Sequence, residues 1–168
     1  MNWFFLTVGY SGLSPKAPGT MGTLVSLPFG MLILIYFDAT TLFLATSLIS
    51  IVAIKIINQY EEESGTHDNQ KIVIDELAGV WFALSVAPAT TIAIDQIFDL
   101  QNGFLIQSLL SFVIFRAYDI IKPSIIGRID REAKGGIGVM GDDIIAGFAA
   151  GISSAALWQG WLYLKDLI

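Results

Sequence analysis

Five apolar runs alternate with polar stretches along this chain: residues 24–37, 42–57, 77–94, 103–115 and 144–164. Only the third and fifth approach the ~20 residues that cross hydrocarbon unaided. The first, second and fourth are shorter, and Lys55 interrupts the second near its end, where a lysine snorkels to the interface. Short spans are met by bilayer thinning or by packing in a bundle. The pattern predicts an all-α, polytopic helical membrane protein with about five apolar helices, forming one domain over residues 1–168. Trp3, Trp158 and Trp161 fall near segment ends, where interfacial aromatics belong.

The connections are unequal. Four residues, Asp38-Ala39-Thr40-Thr41, join the first two runs, which predicts a tight helical hairpin. The stretch 95–102 carries no Lys or Arg. Residues 7–23, 58–76 and 116–143 are long and polar. If every run crosses, these three share one side, and they carry Lys16, Lys71, Arg116, Lys122, Arg128, Arg131 and Lys134. Basic residues favour the cytoplasmic side, so this reading gives a single polar cytoplasmic face and a C-terminus outside.

Composition agrees. Hydrophobic residues make up 54% and charged residues 14% of the 168, with a mean hydropathy of +0.67. A soluble domain of this size needs more charge to cover its surface. The net charge of −6 argues against nucleic acid as a partner. The absence of cysteine removes disulfides, thiolate nucleophiles and cysteine metal sites. One histidine, His67, excludes multi-histidine zinc sites. No basic segment followed by a small-residue cleavage site opens the chain, so no signal peptide is expected.

One internal echo stands out. Asp75-Glu76-Leu77-Ala78-Gly79 opens the third run and Asp143-Ile144-Ile145-Ala146-Gly147 opens the fifth. Each sets Asp four residues before Gly, on one helix face. Glycine lets a second helix approach closely, so two such helices can bring their carboxylates together. Plain acidic capping of two helix N-termini gives the same pattern. Asp68, Asp75, Glu76, Asp119, Asp130, Asp142 and Asp143 crowd the polar connections. Carboxylates this dense repel unless a cation gathers them, and an all-oxygen set suits Mg²⁺ or Mn²⁺. A helix over 68–76 would place Asp68, Asp75 and Glu76 on one face, whereas an extended Ile72-Val73-Ile74 would not. Glu61-Glu62-Glu63 is read as a solvated charge run.

Two glycine-rich stretches precede apolar helices. Ser14 to Thr23 contains Gly19, Thr20, Gly22 and Thr23; Lys134 to Gly141 contains Gly135 and Gly136. Both are expected as turns whose backbone N–H groups bind phosphate at a helix start, with Thr20 or Thr23 as cap. Neither is a Walker A loop. Arg116, Lys122 and Arg131 serve as topology signals, lipid-headgroup anchors, or neutralisers of phosphoryl charge. Pro123 disfavours a helical Lys122, so the fourth helix ends or bends there. His67 beside Asp68 can act as general acid or base. No Cys-x5-Arg loop, Asp-x-Asp motif or histidine pair is present, which removes three known phosphatase designs.

These residues resemble the phosphatidylglycerophosphatase A family. The resemblance runs through Ser11 to Thr23, His67-Asp68, Ile74-Asp75-Glu76 with Gly79, Phe115-Arg116, Asp119, Lys122-Pro123, Asp130-Arg131, Gly135 to Met140 and Asp142-Asp143-Ile144 with Ala146-Gly147. It implies a Mg²⁺-dependent, all-helical lipid phosphatase of the bacterial inner membrane, acting at the cytoplasmic face. The substrate it implies is phosphatidylglycerophosphate, and the product phosphatidylglycerol, in phospholipid biosynthesis. Under it, Asp75, Glu76, Asp142 and Asp143 hold the metal, with Asp68, Asp119 or Asp130 completing the shell. His67, Asp68, Asp119, Lys122 and Asp130 are the catalytic candidates. Gly19, Thr20, Gly22, Thr23, Arg116, Lys122, Arg131, Gly135 and Gly136 are the phosphate-binding candidates. The rival readings are a small cation transporter and a non-catalytic lipid-binding protein.

Overall fold

The computed structural model describes residues 3–66, 69–87, 97–100 and 102–167. They form seven α-helices and one 3₁₀ turn, with no strand among the described residues. The helices are α1 (Trp3–Leu6), α2 (Pro18–Tyr36), α3 (Ala39–Ser64), α4 (Ile74–Val86), α5 (Phe104–Ile121), α6 (Ile125–Glu132) and α7 (Gly135–Asp166). The 3₁₀ turn, Ser11–Leu13, lies between α1 and α2. Four helices, α2, α3, α5 and α7, are long and apolar enough to cross a membrane. The third apolar run supplies α4, and its continuation over 88–96 lies outside the described residues.

Three of the helices outrun their apolar cores, which corrects the expectation that the first, second and fourth spans are short. Pro18 stands at the start of α2, where a missing N–H costs nothing, and the following Gly-Thr residues continue the helix. α3 runs two turns past the apolar run, and Glu62 and Glu63 are exposed there as a solvated face. α7 has 32 residues, which at 1.5 Å each is about 48 Å, more than a ~30 Å hydrocarbon core. The hairpin is as tight as expected: Asp38 caps α3 by accepting the Thr41 N–H at 2.5 Å.

α4 is the hub. From Glu76 to Leu84 every residue is buried, and α2, α3, α5 and α7 all pack on it. The Asp-x-x-x-Gly echo is a helix contact. A Cβ on Gly147 would overlap the Gly79 carbonyl oxygen, and one on Gly151 would sit 2.7 Å from the Ala83 carbonyl oxygen. Gly79 faces Gly147 and Ala83 faces Gly151, so α4 and α7 run parallel, backbone against backbone. α2 is parallel to them: Gly22 meets Val73, and Gly30 meets Leu84 and Trp81, whose Nε1–H donates to the Ser26 carbonyl at 2.8 Å. α3 and α5 return antiparallel. Asn58 near the end of α3 accepts the Gly136 N–H at 2.7 Å, while Phe43 near its start packs on Phe82 and Phe148. Trp158 is buried against Gly103 at the start of α5, so it is a packing residue and not an interfacial anchor. The alternation brings the starts of α2, α4 and α7 and the ends of α3 and α5 to one polar end.

One local alternative is decided and one local expectation fails. Residues 69–73 are not helical, so no continuous helix runs over 68–76. The Val73 N–H instead donates to the Leu6 carbonyl at 2.9 Å, tying the residue before α4 to α1. The glycine stretches are helical and not turns. Gly135 opens α7 with φ +67, and Gly136 lies against the Ile54 backbone, where any side chain would overlap it.

Candidate active site

A cavity of about 470 Å³ opens at the polar end. Six carboxylates line it, from Asp75, Glu76, Asp119, Asp130, Asp142 and Asp143, against two basic side chains, Arg116 and Lys122. The lining set therefore carries a formal surplus of four negative charges, which favours a bound cation.

Each acid reaches the cavity by its own route. Asp75 and Glu76 occupy the first turn of α4, where the helix dipole favours carboxylates. Asp75 accepts the Glu76 N–H at 2.9 Å, so helix capping is a sound account of this residue. It is no account of Asp143, which lies more than two turns inside α7 and is 3% exposed. Asp119 stands on the last turn of α5, three residues from Arg116, which it meets at 2.7 Å. Arg116 also donates to Glu76, and its other terminal nitrogen donates to Thr20 Oγ1 at 3.3 Å. Glu76, Asp119 and Asp143 each offer an oxygen within 4.8 Å of the other two. Asp143 Oδ1 is buried and without a hydrogen-bond partner. An orphaned carboxylate oxygen beside two others is a donor set for a hard cation, so these residues fit Mg²⁺.

Lys122 holds the remaining acids. α5 ends at Ile121, as Pro123 leads one to expect, and Lys122 caps it in the left-handed region with φ 49. The left-handed turn sends its ammonium back over the cavity, to Asp130 on α6 and to Asp142 on α7 at 2.8 Å. Burial lowers the lysine's affinity for its proton, but the two carboxylate hydrogen bonds outweigh it and hold the group above its ordinary range. Lys122 is therefore cationic throughout the neutral range.

The roles read from sequence are redistributed by this geometry. Asp119, expected among catalytic residues, joins Glu76 and Asp143. Asp142, expected as a metal ligand, is bound to Lys122. Gly19 and Thr20 line the cavity, but Gly22 packs on Val73, and Thr23 donates to Glu76 Oε2 at 2.9 Å. Gly135 and Gly136 pack on α3 and do not reach the cavity, and the Gly136 N–H is already taken by Asn58. Arg131 is exposed beside Gly127 on α6, outside the lining. His67 and Asp68 lie outside the described residues. Gly138, from the second glycine-rich stretch, also lines the cavity, as does Gln70, which no sequence signal distinguishes.

The family model for phosphatidylglycerophosphatase A matches residues 4–158, a span that takes in every cavity residue. The chain belongs to the phosphatidylglycerophosphatase A family. It is 38% identical to the Escherichia coli phosphatidylglycerophosphatase A over 153 residues, covering 89% of this chain and 80% of that one. The Haemophilus influenzae phosphatidylglycerophosphatase A is 31% identical over 158 residues, covering 94% and 88%. A Bacteroides thetaiotaomicron protein, provisionally named a phosphatidylinositol-3-phosphatase, is 33% identical over 141 residues, covering 82% and 80%. No solved structure matches the chain. Family membership makes the chain a phosphatase acting on a phosphomonoester.

Proposed function

We propose that this protein hydrolyses the terminal phosphomonoester of phosphatidylglycerophosphate, giving phosphatidylglycerol and inorganic phosphate for phospholipid biosynthesis. In this reading Glu76, Asp119 and Asp143 hold Mg²⁺ at the cytoplasmic face of a bacterial inner membrane. The observation that carries it is the buried carboxylate triad, with its orphaned Asp143 oxygen, at the polar end of an apolar bundle.

When bound, Mg²⁺ polarises the phosphoryl group and acidifies coordinated water. The chain's own groups do the rest. Arg116 and Lys122 face the cavity from the penultimate turn and the cap of α5, where their charges meet phosphate oxygens. Asp142 and Asp130 hold the Lys122 ammonium in place before substrate arrives, so no reorganisation is needed at the moment of reaction. The lipid tails remain beside the exposed apolar faces of α2 and α5, at Leu24, Leu109 and Val113.

A transporter needs its charges near the bilayer midplane, whereas these acids stand at the polar end of every helix that carries them. The deciding measurement is phosphate release from phosphatidylglycerophosphate in mixed micelles, with Mg²⁺ and with EDTA. Mg²⁺-dependent release is expected. Cation uptake into liposomes without phosphate release supports the transporter, and lipid binding without turnover supports the scaffold.

The topology has its own test, made simple by the absence of native cysteine. Single cysteines at exposed Glu62 and Arg128 are expected to react with impermeant reagents only from the cytoplasmic side, and one at exposed Thr40 only from the opposite side. Labelling of positions 62 and 40 from the same side overturns the arrangement.

A further inference from the structure

The first turn of α2 reads from sequence as a phosphate loop, yet its side chains address the protein's own acid. Thr23 is fully buried. Its hydroxyl lies 3.0 Å from the Gly19 carbonyl and 2.9 Å from Glu76 Oε2. Only one of these contacts can use the single hydroxyl proton, and the carboxylate is the stronger acceptor. Gly19 supplies the second half of the seat: a Cβ there would overlap Glu76 Oε1 and sit 3.1 Å from Glu76 Cδ. One carboxylate oxygen is thus held by a hydroxyl, and the other is admitted by a missing side chain. Thr20 completes the arrangement by accepting from Arg116, the counter-ion of the same Glu76.

We propose that Thr23 and Gly19 are positioning residues that fix the Glu76 carboxylate toward Asp119 and Asp143, setting the affinity of that triad for its divalent cation. The inference rests on the metal reading given above. Its physical basis is that an outer partner of a ligating carboxylate fixes the ligand's orientation, and losing such a partner typically lowers metal affinity or activity by about 10–100-fold.

The test uses full-length protein in detergent and Mn²⁺ as the probe, with free Mn²⁺ read by electron paramagnetic resonance. Thr23→Val keeps the shape and deletes the hydroxyl; Thr23→Ser keeps the hydroxyl. Thr23→Val is expected to weaken Mn²⁺ binding by about 10–100-fold and to raise the Mg²⁺ concentration for half-maximal turnover by a similar factor. The lipid KM at saturating Mg²⁺ should not move, and Thr23→Ser should recover most of the loss. Gly19→Ala is expected to reproduce the weakened binding by pushing Glu76 aside, and provides a second route if Thr23→Val does not fold. Wild-type Mn²⁺ affinity in either folded variant overturns the proposal, as does failure of Thr23→Ser to recover, which assigns the effect to packing. Wild-type protein that binds no Mn²⁺ and shows no Mg²⁺-dependent turnover overturns the metal reading itself.

Discussion

Asp143→Asn is expected to lower turnover by about 10³-fold or more at saturating lipid while leaving the helices folded. The residue is buried, its Oδ1 has no hydrogen-bond partner, and it offers an oxygen within 4.8 Å of oxygens from Glu76 and Asp119. An amide supplies no charge to a cation, and the charge stabilisation a metal gives a phosphoryl group is several kcal/mol, each ~1.4 kcal/mol being tenfold in rate. Stability should move the other way. In EDTA the native protein buries an uncompensated carboxylate among like charges, and asparagine removes that penalty. The variant should therefore melt at or above the native temperature in EDTA, and Mg²⁺ should no longer raise it. Phosphate release and thermal melts, each with and without Mg²⁺, measure both halves. A folded variant with native turnover removes Asp143 from the site.

The second large effect is expected from the bare helix contact. Gly147→Leu forces a branched side chain against the Gly79 carbonyl, where even a Cβ does not fit. Overpacking of this kind costs ~1–3 kcal/mol in a core that can adjust, and here the obstacle is backbone. We expect a loss at or above the top of that range, read by denaturant titration in detergent. Turnover should fall with it, because separating α4 from α7 separates Glu76 from Asp143. Gly160→Leu on the same helix is the control: nothing lies within 4 Å of a Cβ there, and neither stability nor turnover should change. Equal behaviour of the two variants overturns the assigned role of the α4–α7 contact.

The helical class, the hairpin at Asp38, the helix end at Lys122 and the pairing of two Asp-x-x-x-Gly segments were legible in the chain, because each follows from local period, capping or proline chemistry. Helix lengths were less so. Apolar runs mark what lipid or core covers, while Pro18, the Gly-Thr residues after it, and the glycines between Gly135 and Gly141 lie outside those runs yet are helical. Glycine misled for the same reason, since one composition serves a turn and a close helix contact, and only the neighbouring backbone distinguishes them. Which acid meets which base was not legible at all. Asp142 and Asp143 are adjacent in sequence, and the 100° step between them on α7 sends one to Lys122 and the other to Glu76 and Asp119.

The parallel packing of α4 on α7 has a consequence for how the protein comes into being. Helices enter a bilayer in chain order, and three contacts of the site join distant parts of the chain: Thr23 to Glu76, Glu76 to Arg116, and Thr20 to Arg116, separated by 53, 40 and 96 residues. Glu76 gains its counter-ion only when α5 returns, and Asp143 joins the group only when α7, the last helix, docks between those already in place. Without α7, Glu76 and Asp119 stand beside Arg116 and the triad lacks Asp143. On the metal reading, the carboxylate triad is therefore assembled only when α7 packs against α4.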